Sequence, residues 1–122
     1  MIGIEFVPRI GNPYCYVFYD DKENKKKNIG YIMGTHLSDK LAYIWFVFVR
    51  ERYRGKGHGK MMVKFLQGVV PNDTIVTPVI EDFKGFGAIK TQVGGSTKDG
   101  VEMLKKCGFI RKEGDYVWER QS

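Results

Sequence analysis

The segment Leu41 to Val49, LAYIWFVFV, is apolar at nearly every position. A strand with one face in water alternates apolar and polar residues, so an unbroken run predicts a strand buried on both faces at the centre of a sheet. Further along, the period changes. Met61, Met62, Phe65, Leu66 and Val69 recur at helical spacing, with Lys60, Lys64 and Gln67 turned elsewhere, and Gly68 and Pro71-Asn72 mark the end of that helix. Between strand and helix lies Arg54-Gly55-Lys56-Gly57-His58-Gly59-Lys60.

The remaining elements arrange themselves around this unit. Ile2 to Val7 predicts a first strand, ended by Pro8 and a Gly11-Asn12-Pro13 break. Tyr14 to Tyr19 and Ile29 to Met33 are rich in aromatic and β-branched types and flank the polar stretch Asp20 to Asn28, as a hairpin with a long charged loop would. Gly34 to Lys40 predicts a turn. Thr74 to Ile80 predicts another strand, whose end cannot pair as a central strand because of Pro78. Glu81 to Gly95 is punctuated by glycine and receives no assignment. Ser96, Thr97 and Asp99 suit a helix start, with Val101, Leu104 and Cys107 on one face and Gly108 as the stop. Phe109 to Lys112 and Tyr116 to Arg120 close the chain as a hairpin around Glu113-Gly114-Asp115. The order is β, β-hairpin, β, helix, β, helix, β-hairpin. This is a mixed α/β (α+β) arrangement in one domain over residues 1–122, with the central strands made parallel by the helix that crosses between them.

Composition narrows the function classes. At 122 residues, with 43% hydrophobic and 14% aromatic residues, the chain suits one domain with a substantial core rather than a disordered segment. No run approaches the roughly 20 apolar residues of a membrane-spanning helix, and Met1 to Val7 lacks a basic leader with an apolar stretch. Cys15 and Cys107 are too few and too far apart for a disulfide framework or a metal-ligand cluster, so no metal is expected and a cytoplasmic location with reduced thiols is. Twenty basic against fourteen acidic residues give a formal charge of +6, which favours anionic partners without naming one. Lys22, Lys25, Lys26 and Lys27 account for part of it in a single polar run.

Three glycines at alternate positions, placed between a strand and a helix, let consecutive N–H groups converge on one anion at the positive end of a helix dipole. Arg54, Lys56 and Lys60 add charge beside it, and a pyrophosphate suits such a nest. Other phosphate motifs fail on spacing. The dinucleotide fingerprint and the kinase glycine loop need a glycine where Lys60 stands, and a Walker loop needs Ser or Thr where Met61 stands.

The stretch Val49-Arg50-Glu51-Arg52-Tyr53-Arg54-Gly55-Lys56-Gly57-His58-Gly59 closely resembles the acetyl-CoA-binding segment of the GNAT N-acetyltransferase superfamily. That segment runs from a valine through a short loop into Arg or Gln, two variable residues, Gly, one variable residue, and Gly or Ala. Arg54, Gly57 and Gly59 fill the fixed positions, and Leu104 to Phe109 resembles the helix end and Gly-Phe that lead into the family's last hairpin. The resemblance implies a mostly antiparallel sheet whose central parallel strands splay apart to admit the pantetheine arm, with flanking helices. It further implies that backbone groups of Val47, Phe48 and Val49 meet that arm, and that the loop of Arg54, Gly55, Lys56, Gly57, His58, Gly59 and Lys60 holds the pyrophosphate. The backbone N–H of Val47 is the expected oxyanion donor. Thr97 takes the place of an asparagine common at the start of the family's last helix.

Side-chain catalysts depart from the family pattern. The position of the usual tyrosine acid is Leu104, and Leu41 to Val49 contains no carboxylate. Glu81 and Asp82, just past the second splayed strand, are the remaining base candidates, with Tyr116 or Ser96 as acid. His36 and His58 fall in loops, and Cys107 is expected as a small core residue. The helices that the family usually inserts between its first two strands are missing, since only Pro8 to Pro13 fills that interval. The acceptor groove is then either open, covered by Glu81 to Gly95, or covered by another subunit in a homodimer. The expected activity is transfer of acetyl from acetyl-CoA to an amine, on a small molecule or a protein. The alternatives are a CoA-binding module without catalysis, or a basic nucleic-acid binder suggested by Tyr14, Tyr16, Phe18 and Tyr31, which is disfavoured because such aromatics usually form core.

Overall fold

The computed structural model describes residues 2–7, 10–11, 13–21, 27–78 and 98–121. These form seven strands, β1 (Ile2–Phe6), β2 (Pro13–Asp20), β3 (Lys27–His36), β4 (Leu41–Val49), β5 (Thr74–Pro78), β6 (Ile110–Lys112) and β7 (Asp115–Glu119). Two helices accompany them, α1 (His58–Val69) and α2 (Lys98–Lys106), and a 3₁₀ turn spans Glu51–Tyr53. The strands make one sheet in the order β1-β2-β3-β4-β5-β7-β6. Only β4 and β5 run parallel, as α1 crossing between them requires.

Both helices lie on one face of the sheet. Met62, Val63 and Leu66 of α1 are fully buried there, each contributing about 1.5–3 kcal/mol relative to exposure. Phe65 sets its ring edge against Tyr16 and Phe18 of β2, at 5.1 and 5.5 Å between centroids. Leu104 of α2 and Cys107, just past its end, join the same cluster with Ile32, Ala42, Ile44, Val47 and Ile75. Gln67 Nε2 of α1 donates to the Cys107 carbonyl at 2.8 Å, which joins the two helices and satisfies a helix-end acceptor.

The C-terminal elements match the sequence expectation closely. Gly108, at φ +90°, ends α2, the Phe109 N–H reaching back to Leu104 and the Gly108 N–H to Lys105. This is a Schellman cap, with Phe109 and Leu104 both in the core. Glu113 and Gly114 both have positive φ, which makes the closing hairpin a two-residue turn of the type that matches strand twist.

Three expectations need correction. First, β3 does not turn at Gly34 but continues to His36. A Cβ at Gly34 would stand 1.8 Å from the Tyr43 carbonyl oxygen and 2.4 Å from the Tyr14 hydroxyl, so glycine is there for close approach rather than for a turn. Second, β4 is fully buried on the helix face only. Met33 pairs with Phe46 and Gly34 with Ile44, which leaves Trp45 as the extra residue of a β-bulge. One inserted residue reverses the alternation, so Ala42 and Ile44 before the bulge and Val47 after it all face the core. On the other face Tyr43 and Phe48 are half-buried, and Trp45 is exposed. Third, α1 begins at His58, inside the glycine loop, and carries Gly68 within its last turn. A Cβ at Gly68 would meet nothing within 4 Å. Gly68→Ala is therefore expected to raise unfolding stability by about 0.5–1 kcal/mol, read as a higher urea midpoint at unchanged slope.

Candidate functional site

The parallel pairing of β4 with β5 is short. It joins Leu41 to Thr74, Ala42 to Ile75 and Tyr43 to Val76, and stops there. Beyond Tyr43, β4 runs on to Val49 along β3, while Thr77 and Pro78 of β5 stay with Tyr116 and Asp115 of β7. The two central strands thus fork, and the bulge at Trp45 sits at the fork.

Alternation along β4 decides which backbone groups face the fork. The Arg50 N–H donates to Ile29 of β3 at 2.8 Å, so Phe48, two residues back, also directs its N–H and C=O towards β3. A Cβ at Gly30 would lie 1.9 Å from the Phe48 carbonyl oxygen, which places that oxygen on the β3 side. Val47 and Val49 consequently direct their backbone groups away from β3, into the fork. Phe48 is the exception among the three residues expected to meet the pantetheine arm, because its backbone is committed to the β3 ladder. The Val49 carbonyl is itself engaged, accepting from Arg54 Nε at 2.8 Å. That leaves the N–H of Val47, the C=O of Val47 and the N–H of Val49 directed into the fork.

The loop after β4 is held by side chains at its start and by glycines at its end. His58 Nδ1 lies 2.9 Å from the Tyr53 carbonyl, which can only accept, so the ring carries its proton on Nδ1. The same ring stands edge-on to Tyr53 at 5.7 Å, and the Arg52 guanidinium lies 5.5 Å from the Tyr53 ring centre. His58 thus contributes a side chain that shapes the loop and a backbone N–H at the helix start. Gly55 and Gly57 have φ of +75° and +83°, and no side chain caps α1 at Gly57. The first-turn N–H groups of His58, Gly59 and Lys60 have no acceptor within the helix, and no acidic residue stands in that turn. Along the sequence Arg50, Arg52, Arg54, Lys56 and Lys60 fall close to this end, with Glu51 the single acidic residue among them. The arrangement suits a pyrophosphate, because donors and positive charge converge where glycine leaves the approach unobstructed. A Cβ at Gly59 would make only ordinary contacts, 3.6 Å to Met103 and 3.8 Å to Val49, so alanine fits there as the motif allows.

The other expected site residues fall out differently. Tyr116 is buried in the core on the helix face, paired with Thr77 one step past the fork. Leu104 is fully buried against α1. His36 stands at the opposite end of β4, paired with Ala42, where its Nδ1 lies 2.8 Å from the Asn72 side-chain oxygen. Asn72 in turn donates to the Ser38 carbonyl at 2.7 Å, so His36 and Asn72 tie the β3–β4 turn to the entry of β5. Burial pushes the Cys107 thiol up, with Lys64 and Lys60 pulling the other way, and its Sγ lies 3.8 Å from the Lys60 carbonyl. It packs the two helices together as the sequence suggests. Glu81, Asp82, Ser96 and Thr97 lie outside the described residues. Among those described, no group of three or more His, Cys, Asp or Glu is placed to hold a metal ion, and no helix is long and apolar enough to cross a membrane.

Sequence reasoning missed both the bulge and the tyrosine that braces it. Tyr14 donates its hydroxyl to the Tyr43 carbonyl at 2.7 Å, across Gly34 and next to the fork. Burial, and then the neighbouring Tyr16, push the Tyr14 hydroxyl far above the ordinary tyrosine range, so it stays a donor. Gly34, within a strand rather than at its end, is the sequence trace of this close packing.

Residues 5–109 match the acetyltransferase (GNAT) family. The chain belongs to that family. Acetyl-CoA is accordingly its co-substrate. Solved structures agree on the fold. A GNAT-family protein from Desulfovibrio desulfuricans superposes with a TM-score of 0.65 at 11% identity, over 88% of this chain and 69% of that one. The E. coli protein YhhK bound to coenzyme A gives 0.65 at 13%, over 93% and 77%. The PaiA N-acetyltransferase from Thermoplasma acidophilum, in complex with coenzyme A, gives 0.62 at 14%, over 91% and 62%. Comparison with curated proteins gives no match.

Proposed function

We propose that this GNAT domain, spanning residues 1–122, moves the acetyl group of acetyl-CoA to a primary amine by direct attack in a ternary complex. The observation that carries the reading is the fork, where the backbone of Val47 and Val49 opens towards the gap beside the glycine loop. In that gap the Val47 N–H donates to the thioester oxygen as it gains charge, and the amine forms its C–N bond while the C–S bond breaks. The amine proton passes to a base, for which Glu81 and Asp82 are the candidates, and the departing thiolate takes a proton from Tyr116 or solvent. Arg54, Gly55, Lys56, Gly57, Gly59 and Lys60, with the His58 N–H, hold the pyrophosphate, and Thr97 is a further cofactor contact by resemblance to the family. The acceptor is an amine on a small molecule or a protein. Two buried free thiols suit a cytoplasmic setting.

The test is release of the CoA thiol from acetyl-CoA across amines, peptides and basic proteins, with Glu81→Gln, Asp82→Asn and Tyr116→Phe compared for kcat and acetyl-CoA affinity. Turnover on some amine, lost in one of these variants at unchanged affinity, is the expected result. Tight binding of acetyl-CoA with no turnover on any acceptor overturns the reading in favour of a CoA-binding module, which buried Leu104 in place of the usual acid would suit.

A further inference from the structure

The two edges of the sheet are unlike. One edge strand, β6, is three residues long, fully exposed, and carries Arg111 and Lys112, the latter 3.4 Å from Glu119. Short length and charge are ways in which edge strands avoid pairing. The other edge, β1, has five residues, no lysine or proline, and an apolar stripe of Ile2, Ile4 and Phe6 that is 37%, 43% and 52% exposed. The stripe lies on the helix face, where Phe6 meets Tyr16 at 5.2 Å, but Phe65 of α1 packs on the rings of β2, one strand short of it. Among the described residues no strand pairs with its outer side.

The Val7 N–H donates to Cys15 at 2.8 Å, so Glu5 and Gly3, at two-residue steps, spend their backbone groups on β2. Ile2, Ile4 and Phe6 direct theirs outward. A two-fold antiparallel pair can be centred on any residue of β1, but only the one centred on Ile4 uses the outward groups of all three. Centred there, β1 is complementary to itself. Ile4 meets Ile4 of the second copy, Ile2 meets Phe6, and each pair exchanges two main-chain hydrogen bonds. Glu5, the one charged residue of β1, falls opposite Gly3 rather than opposite another Glu5. Its carboxylate is also drawn back onto β2, where it hydrogen-bonds the Tyr19 hydroxyl.

We propose that β1 pairs antiparallel with β1 of a second copy about a two-fold axis at Ile4, giving a homodimer with a continuous sheet. The two apolar stripes then lie side by side between the α1 helices of both copies. This surface is independent of the acetyl-transfer reading. One strand pair is small beside the roughly 1,200–2,000 Å² of a standard interface, so association is expected in the micromolar range.

Sedimentation velocity from about 10 μM to about 0.5 mM, a range chosen for such an interface, tests it. Ile4→Pro removes an outward N–H and leaves the β1–β2 ladder intact, and Ile4→Lys sets two like charges together on the axis. The expected result is a concentration-dependent dimer, weakened at least about 30-fold by either variant and unchanged by Ile110→Lys on the opposite edge. Thermal melts identify a variant that fails to fold, in which case the other decides. A monomer throughout the range, or a dimer indifferent to both Ile4 variants, overturns the proposal.

Discussion

Gly57→Glu is expected to abolish acetyl-CoA binding, with affinity falling at least about 10³-fold. Two costs add. At φ +83° any side chain is strained, by about 1–2 kcal/mol. The carboxylate then stands at the start of α1, where the anionic pyrophosphate is expected, and two like charges about 4 Å apart repel by about 4 kcal/mol in a surface environment. Open space around Gly57 means that steric collision within the protein is not the cause. Gly57→Ala separates the two costs, since it carries the strain without the charge and should weaken binding only about tenfold. Calorimetric titration with acetyl-CoA reads all three proteins. Equal binding by the unmutated and glutamate forms would remove the pyrophosphate from this loop.

Gly34→Ala is expected to destabilise the fold by about 3 kcal/mol or more, at the upper end of overpacking effects. Most such effects are softened by a side chain moving aside. Here the nearest obstacle is the backbone oxygen of Tyr43, at 1.8 Å from the new Cβ, and the Tyr14 ring that could move is pinned by its hydrogen bond to that same oxygen. Relief therefore requires β3 and β4 to separate at the bulge, next to the fork between β4 and β5. Urea denaturation measures the loss, and Gly3→Ala, with nothing within 4 Å, is the control that should change little. A Gly34→Ala protein as stable as the parent would mean that β3 and β4 part at the bulge with little cost.

How legible the site was depends on the range of the forces that make it. The glycine loop and α1 were readable because their causes are local: positive φ at Gly55 and Gly57, an uncapped helix start, and apolar spacing on one helix face. The cap at Gly108 and the turn at Glu113-Gly114 were readable for the same reason. Gly34 was misjudged because glycine serves turns and close contacts alike, and only the ring of Tyr14, twenty residues away, shows which use applies. His36 was expected in a loop, yet it ends β3, and its partner Asn72 arrives from a distant turn.

The sequence by itself determined that Leu41–Val49 enters a glycine-rich loop and a helix, that the strands on either side of the helix run parallel, and that the chain resembles acetyl-CoA enzymes. Each depends on neighbours in the chain, where periodicity, glycine placement and the length of a crossover suffice. Only the tertiary structure decided where β4 and β5 part, which of Val47, Phe48 and Val49 turn their backbones to the gap, and which strands form the two edges of the sheet among the described residues. Those depend on one extra residue at Trp45 and on the phase of hydrogen bonds between strands. A single-residue shift reverses every orientation beyond it, and a run of nine mostly apolar residues carries no mark of where that shift falls.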